Sequence, residues 1–298
     1  IIASTQKLWH GGEKQAQLLA EGLRSRGHDV RIVARQNGSF SQGMSQRQFP
    51  VIALPGRGRS LVAIWRYRRF LKSFRPDIVL ANDGHALTSL AISSVALAIP
   101  LRFAARRVDF SIRSAGKFNR FTDGVICVSH AVAKVCRESG VDERLLHIVH
   151  DGVPAAFAES GNRQHGRHVL GLKPETQLLL VVSKLTDHKG HRFLLDAMPG
   201  ILARHPETQL ALAGDGELRQ TLEQQVARLG LAPHQVRFLG YRHDIPDLLA
   251  AADLVVQPSH LEGLCSSLID AMLAERPIVA TQAGGIPDLL ETPVSSPK

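Results

Sequence analysis

This sequence predicts two α/β domains, each a parallel sheet covered on both faces, and three observations carry the prediction. Short apolar runs of strand length recur between longer amphipathic stretches. Those runs are continuously apolar rather than alternating, as strands buried on both faces require. The amphipathic stretches end in Gly or precede Pro, which are helix stop signals. At 298 residues, 44% apolar and 21% charged, the chain is long enough for two ordinary cores.

In order, a first strand precedes STQKLWHGGEKQ (4–15), and EKQAQLLAEGLRSRG (13–27) has helical spacing. The next strands are VRIVA, DIVLA, LRFAA, GVICVS and LLHIVH, with a helix over LVAIWRYRRFLKSF (61–74). The second half repeats the pattern in LLLVVS, QLALAG, VRFLG, DLVVQP and PIVAT, with a helix over ELRQTLEQQVARLG (217–230). The stretch 153–176 is polar, carries Gly and Pro and lacks periodicity, so it predicts the boundary between domains 1–160 and 161–298. The end, ETPVSSPK, reads as a loop with no closing helix, so the second domain is expected to be truncated.

Nothing approaches eighteen consecutive apolar residues, and the first residues lack the basic flank of a signal peptide. Cys127, Cys136 and Cys265 have no disulfide or zinc spacing, and a reducing cytoplasm is the expected setting. The net charge of +9 is uneven. Residues 1–150 hold 23 Lys and Arg against 10 Asp and Glu, a net of +13, while the remainder is −4. The basic half suits polyanionic company: a phosphorylated glycan, an acidic membrane face or nucleic acid. Nucleic acid is disfavoured because no recognition module is present.

In open parallel sheets, ligands sit where strand ends lead into helix N-termini. Gly11 and Gly12 open a helix whose amides suit a phosphate. Lys184 and Lys189, in VVSKLTDHKGH, put two ammonium groups in one loop, as a diphosphate needs. LAGDGELRQ lacks the third Gly of a dinucleotide fingerprint and reads as a turn and helix start. The richest segment is HLEGLCSSLIDAMLAERPIVATQAGGIPDLLE (260–291). Ser266 and Ser267 are N-cap types, so a helix is expected to begin near Cys265. Glu262 then precedes the helix mouth and Asp270 lies about one turn inside. Gly263 allows close backbone approach, and the amides of 264–267 face an anion with the helix dipole behind them. Phosphate in the middle and hydroxyl-binding acids on both sides describe a nucleotide-sugar.

This segment resembles the E-x7-E region of the family-four retaining glycosyltransferases, which have two Rossmann-like domains facing a cleft, the GT-B arrangement. Other pieces resemble that family in order along nearly the whole chain: GGEKQAQLLAEGLRSRGHDVRIVA, RPDIVLANDGHA, DGVICVSHAVAKVCRESGV, LLHIVHDGV, LTDHKGHRFLLDAM, LALAGDGELR and VRFLGYRHDIPDLLAAADLVVQPS. The resemblance implies that Glu262 binds donor sugar hydroxyls and Asp270 the ribose. It gives the diphosphate to Lys184, Lys189, the amides of Gly263, Leu264, Cys265, Ser266 and Ser267, and the Gly11–Gly12 turn. Gly240 and Tyr241 would line the base pocket, and the basic half would take a cell-envelope glycan or glycolipid.

Several positions depart from the family pattern. Asp270 stands where Glu is usual and Lys184 where Arg is usual, which loses a bidentate fork. Ser183 replaces a Gly. Arg106 occupies the place of a histidine near the reacting sugar, where its guanidinium suits electrostatics or acceptor binding rather than proton transfer. His85, in a neighbouring strand-end loop, is a second acceptor-side candidate.

No D-x-D occurs, so the metal site of the other major glycosyltransferase fold has no candidate. No cofactor is expected; the nucleotide-diphosphate-sugar is the substrate. Three His pairs (147/150, 165/168, 188/191) lack the H-E-x-x-H frame and a third ligand, so no metal site is expected.

The stretch 57–75 interleaves Arg and Lys with Trp65, Tyr67, Phe70 and Phe74. The favoured reading is a helix packing its aromatics on the sheet. Its outer face also suits an acidic membrane surface, a peripheral place on the inner face of the plasma membrane. Two rivals remain: a nucleotide-sugar epimerase of the same fold, and a non-catalytic nucleotide-sugar-binding remnant.

Overall fold

The computed structural model describes residues 1–56, 58–156 and 160–291. Arg57, part of the boundary stretch (157–159) and the expected terminal loop at 292–298 lie outside them. The chain divides into two units, Ile1–Asp151 and Gly152–Lys298. Asp151 is tied to Arg107 in the first unit, while the backbone N–H of Asn162 donates to Asp247 in the second at 2.7 Å.

The first unit has a seven-stranded sheet of order β3-β2-β1-β4-β5-β6-β7 with every pair parallel. Its strands are β1 (Ile2–Ser4), β2 (Ile32–Arg35), β3 (Val51–Leu54), β4 (Ile78–Ala81), β5 (Leu101–Arg106), β6 (Gly124–Cys127) and β7 (Leu146–Ile148). The crossovers include α1 (Gly11–Ser25), α2 (Ser39–Gln46), α3 (Leu61–Phe74), α4 (Gly84–Ser93), α5 (Gly116–Phe121) and α6 (His130–Glu138). Ser60 caps α3 and Ser129 caps α6, each accepting from an N–H three residues on.

The second unit has a five-stranded parallel sheet of order β10-β9-β8-β11-β12. These are β8 (Gln177–Val182), β9 (Thr208–Ala213), β10 (Val236–Gly240), β11 (Leu254–Gln257) and β12 (Ile278–Ala280). The helices are α7 (Arg163–Val169), α8 (His191–Arg204), α9 (Arg219–Arg228), α10 (Ile245–Ala251), α11 (Ser266–Leu273) and α12 (Ile286–Leu290). Alternation along β8 shows why the run LLLVV is apolar throughout. Leu178 and Leu180 join the core with Leu248, Leu268 and Ile286 on one face. Leu179 and Val181 join Leu195, Met198 and Leu222 on the other.

Each sheet has one place where the strand order reverses, between β1 and β4 in the first and between β8 and β11 in the second. At such a reversal the two following loops run to opposite faces and leave a crevice at the carboxyl ends of the strands.

The aromatics of α3 divide differently from the expectation that they all pack inward. Ala63, Tyr67 and Leu71, four apart, are buried, so Trp65 lies on the opposite side and is 60% exposed. Phe70 and Phe74 stack on each other, with ring centroids 5.4 Å apart.

Candidate functional site

In the second unit, the loops leaving β8, β9, β11 and β12 are stitched together at glycines. A Cβ on Gly190 would lie 1.9 Å from the Pro258 carbonyl oxygen, one on Gly214 1.9 Å from that of Ser183, and one on Gly216 2.4 Å from that of Leu185. A Cβ on Gly284 would lie 1.7 Å from the Glu262 oxygen. No other residue permits these approaches. Hydrogen bonds complete the seams: His260 N–H to the His188 carbonyl at 3.0 Å, Leu185 N–H to Asp215 at 3.2 Å, and Gly285 N–H to Glu262 at 3.0 Å. The G-x-G of LAGDGELRQ is thus a packing turn. Helix α9 begins only at Arg219.

This framework brings Lys189 and Glu262 together at the β8/β11 reversal. Lys189 Nζ stands 2.5 Å from Glu262 Oε2, with both side chains largely buried. Ser259 Oγ donates to the same Oε2 at 3.2 Å and itself receives a hydrogen bond from Gln257 Nε2 at 2.7 Å. Gln257 and Ser259 are buried, so a fixed relay from the end of β11 orients the carboxylate.

Helix α11 begins as expected next to Glu262, but its cap is Cys265, in the left-handed region at φ 78°, rather than a serine. Ser266 and Ser267 are the first two helical residues, and Ser267 Oγ lies 3.3 Å from Cys265 Sγ. The αL cap turns the chain so sharply that the serines fall past the cap position. Burial, reinforced by the Glu262 charge, raises the Cys265 pKa to about 11, so the thiol stays protonated.

Gly263 and Leu264 are buried beneath the helix mouth, and Asp270 is half-buried within α11. Lys184 shares the β8 loop with Lys189 and its side chain is exposed. Gly240 ends β10 at φ 66°, and Tyr241 beyond it is 76% exposed, with the His243 ring edge-on at 5.0 Å.

Sequence reasoning named His191 only as half of a histidine pair without a metal frame, and did not foresee its burial. His191 opens α8, is 2% exposed, and its Nε2 lies 3.0 Å from Ser183 Oγ. Burial, with Lys189 and His188 nearby, lowers its pKa to about 4, so it is neutral. Ser183, the residue in place of a family Gly, is therefore the partner that a buried imidazole needs. The departure itself was the available signal.

In the first unit, the β1/β4 reversal holds a second network. Asp83, at the end of β4, accepts from Ser4 Oγ, Thr5 N–H and Oγ1, and the His85 and Ala86 amides. It thereby caps α4 and joins β1 to β4. Glu13, in the first turn of α1, accepts from Ser4 Oγ at 2.9 Å and from the His10 N–H at 3.0 Å, which fixes the Gly11–Gly12 turn. Asn82 Nδ2 donates to the Gly12 carbonyl at 3.1 Å. Neither glycine has a positive φ, and a Cβ on Gly11 would meet nothing within 4 Å. The fold does not require glycine at position 11, so its bareness leaves open space before a helix mouth.

His85, in the first turn of α4, borders a cavity of about 430 Å³ with Thr5, Gln6, Lys7 and Arg35. Arg106 ends β5; its guanidinium donates to the Phe110 carbonyl, while its buried Nε has no partner among the described residues. The neighbouring Arg107 was not singled out in the sequence. It pairs with Asp151 at 3.0 Å and donates to Asn82 Oδ1 at 2.5 Å, binding β5 to the network.

Comparison with known proteins agrees with this architecture. Residues 9–157 match the model of Glycosyltransferase Family 4, and residues 176–295 match that of Glycosyl transferases group 1. An uncharacterised glycosyltransferase of Methanocaldococcus jannaschii is 32% identical over 178 residues, 57% of this chain and 45% of that protein. The chain thus spans under half the length of that relative.

The UDP-N-acetylglucosamine–N-acetylmuramyl-(pentapeptide) pyrophosphoryl-undecaprenol N-acetylglucosamine transferase of Desulfitobacterium hafniense is 28% identical over 274 residues, 88% of this chain and 69% of that protein. Among solved structures, Anabaena HepE in complex with UDP-glucose superposes with a TM-score of 0.82 at 26% identity, covering 98% of this chain and 82% of HepE. Two parallel-sheet units and a family model matching half of the sequence lead to one statement: this chain belongs to Glycosyltransferase Family 4.

Proposed function

We propose that the chain belongs to a retaining, metal-independent glycosyltransferase that moves a sugar from a nucleotide-diphosphate-sugar to a cell-envelope glycan or glycolipid. The Lys189–Glu262 pair, fixed at the β8/β11 reversal beside the mouth of α11, is the observation that carries this reading. We read the pair as a resting arrangement that a donor separates. The Lys189 ammonium turns to the diphosphate and the Glu262 carboxylate to sugar hydroxyls.

Lys184 and the amides of 263–267 would add to the diphosphate site, Asp270 would take the ribose, and Gly240 and Tyr241 would border the base. As the bond between the anomeric carbon and the diphosphate oxygen breaks, charge grows on the leaving group. Preplaced cations and helix amides lower the energy of that state. The acceptor hydroxyl attacks on the face the diphosphate leaves, which retains configuration, and passes its proton to the departing diphosphate oxygen. Arg106, His85 and the Gly11–Gly12 turn serve the first unit's side of the reaction. The UDP-glucose complex of HepE supports a UDP-sugar donor, and the undecaprenol-linked acceptor in the Desulfitobacterium enzyme's name supports a lipid-linked acceptor.

Calorimetric titration with UDP-, GDP- and ADP-sugars, followed by product analysis, tests the reading. A glycosylated acceptor is expected. Epimerised donor would favour the isomerase rival, and donor binding without product the remnant.

A second element of the proposal is contact with an acidic membrane. No helix among the described residues is long and apolar enough to cross one. Exposed Leu61, Val62 and Trp65 on α3 stand beside Arg66, Arg69 and Lys72, the composition of an interfacial face. Sedimentation with phosphatidylglycerol vesicles should fall severalfold in Trp65→Ser; unchanged sedimentation removes the membrane from the proposal.

A further inference from the structure

The first unit contains a second cavity, of about 300 Å³, beside β4 and β5 and away from the β1/β2 side where His85 lies. Its cations come from three different places in the fold. Arg106 ends β5, Arg113 lies in the loop that follows, and Lys117 is in α5. Leu87, Phe110 and Phe118 supply an apolar floor. The volume is at the lower end of ligand-sized cavities.

The positive charge is incompletely answered. Asp83 is the carboxylate on the wall, and five donors from Ser4, Thr5, His85 and Ala86 already occupy it. Asp109 stands near Arg106. Among the described residues, the hydrogen bond that Lys117 makes is a long one, 3.4 Å to the Gly84 carbonyl, and Arg113 makes neither hydrogen bond nor ion pair. The guanidinium of Arg106 also lies beside the buried Cys136 thiol, and its buried Nε has no hydrogen-bond partner among the described residues. Burial and mutual repulsion lower the pKa of Lys117, as expected for cations gathered without enough counter-charge.

We propose that this cavity is a binding site for a phosphate monoester, its phosphoryl oxygens held by Arg106, Arg113 and Lys117 and its carbon portion lying on Leu87, Phe110 and Phe118. Three cationic donors converging from separate elements suit a tetrahedral dianion better than a planar carboxylate. As a feature of the acceptor the phosphate rests on the transferase reading above. As a bound ligand it does not.

The test therefore reads binding without turnover. With arginine side chains labelled with ¹⁵N, the Arg106 Nε–H signal is identified by its loss in Arg106→Lys and followed as glycerol 1-phosphate, inorganic phosphate or glycerol is added. Glycerol 1-phosphate should move the signal at severalfold lower concentration than inorganic phosphate, and glycerol should not move it. Lys117→Gln should weaken the response about tenfold, exposed Arg113→Gln severalfold, and Lys189→Gln, in the other unit, not at all.

An unmoved signal overturns the proposal, as does inorganic phosphate binding as well as the ester. A response that is lost in Lys189→Gln and kept in Lys117→Gln also overturns it, because the anion would then occupy the donor unit. Failure of donor binding in the calorimetric titration leaves these outcomes unaffected, so the two readings fail separately.

Discussion

Replacing Gly284 with alanine places a methyl group 1.7 Å from the Glu262 carbonyl oxygen and 2.7 Å from its carbon, at a backbone φ of 53°. Contacts of a real Cβ do not close below 3.0 Å, so the two backbones must part by about 1.3 Å in a close-packed region. Three costs follow. Strain in the left-handed region is about 1 kcal/mol. Loss of the Gly285 N–H to Glu262 hydrogen bond adds about 1 kcal/mol. Overpacking adds roughly 1–2 kcal/mol, for a total of about 3–4 kcal/mol.

Gly230→Ala isolates the first cost. Its φ is 67°, but a Cβ there would meet nothing within 4 Å, so it should lose only about 1 kcal/mol. Urea unfolding of the two variants, followed by circular dichroism, measures the difference. Because Glu262 is displaced by an ångström or more, calorimetric affinity for UDP-glucose should also fall at least tenfold in Gly284→Ala and stay level in Gly230→Ala. Equal unfolding midpoints for both variants would refute the claim that the Gly284 contact positions Glu262.

Three further outcomes follow from the same geometry. Lys189→Ala leaves a largely buried carboxylate without its cation, so it should destabilise the second unit more than the Lys189→Ala/Glu262→Gln double variant does. A cycle over the single and double variants should return a coupling of about 1–3 kcal/mol; a value near zero would mean the pair is not formed in solution. His191 titrates near 4 when folded and near 6.5 when unfolded, so the unfolded chain takes up the proton first as pH falls. Its contribution, about 3 kcal/mol, is present above pH 6.5 and lost as pH drops towards 4. Urea midpoints measured across that window should lose much of their slope in His191→Gln, and an unchanged slope would mean the imidazole is not buried neutral. Asp83→Ala removes the acceptor for five donors joining β1, β4 and α4, and should cost about 2–4 kcal/mol in thermal unfolding; a loss below about 0.5 kcal/mol would count against the network.

Much of the fold was legible because a strand buried on both faces leaves an unmistakable apolar run. All ten quoted runs, from VRIVA to PIVAT, contain strands. The strand Val51–Leu54 was not among them: it lies at a sheet edge, is only four residues long and is mostly half-buried, so its pattern is weak. Helix Ser39–Gln46 also escaped notice, since SFSQGMSQ buries just Phe40 and Met44. The site was legible as residue types at strand ends, since Lys189 and Glu262 were both named. Their direct pairing was not, because it depends on Gly190 and Gly284 meeting carbonyls from other loops. The Ser183–His191 contact joins a loop residue to a helix start, where no periodic pattern runs, and the Arg107–Asp151 link spans a chain separation over which periodicity carries no information.

The glycine-to-carbonyl seams have a bearing on where the second unit can be redesigned. Loops clamped at Gly190, Gly214, Gly216 and Gly284 share their backbones' positions, so a bulkier side chain at any of these points is transmitted to the others rather than absorbed. Substitution is expected to be tolerated instead where the chain stands clear, as at the exposed Tyr241 with His243 against its ring. If Tyr241 borders the base as proposed above, a library aimed at swapping one nucleotide base for another belongs at 241–243, with the clamped glycines left untouched.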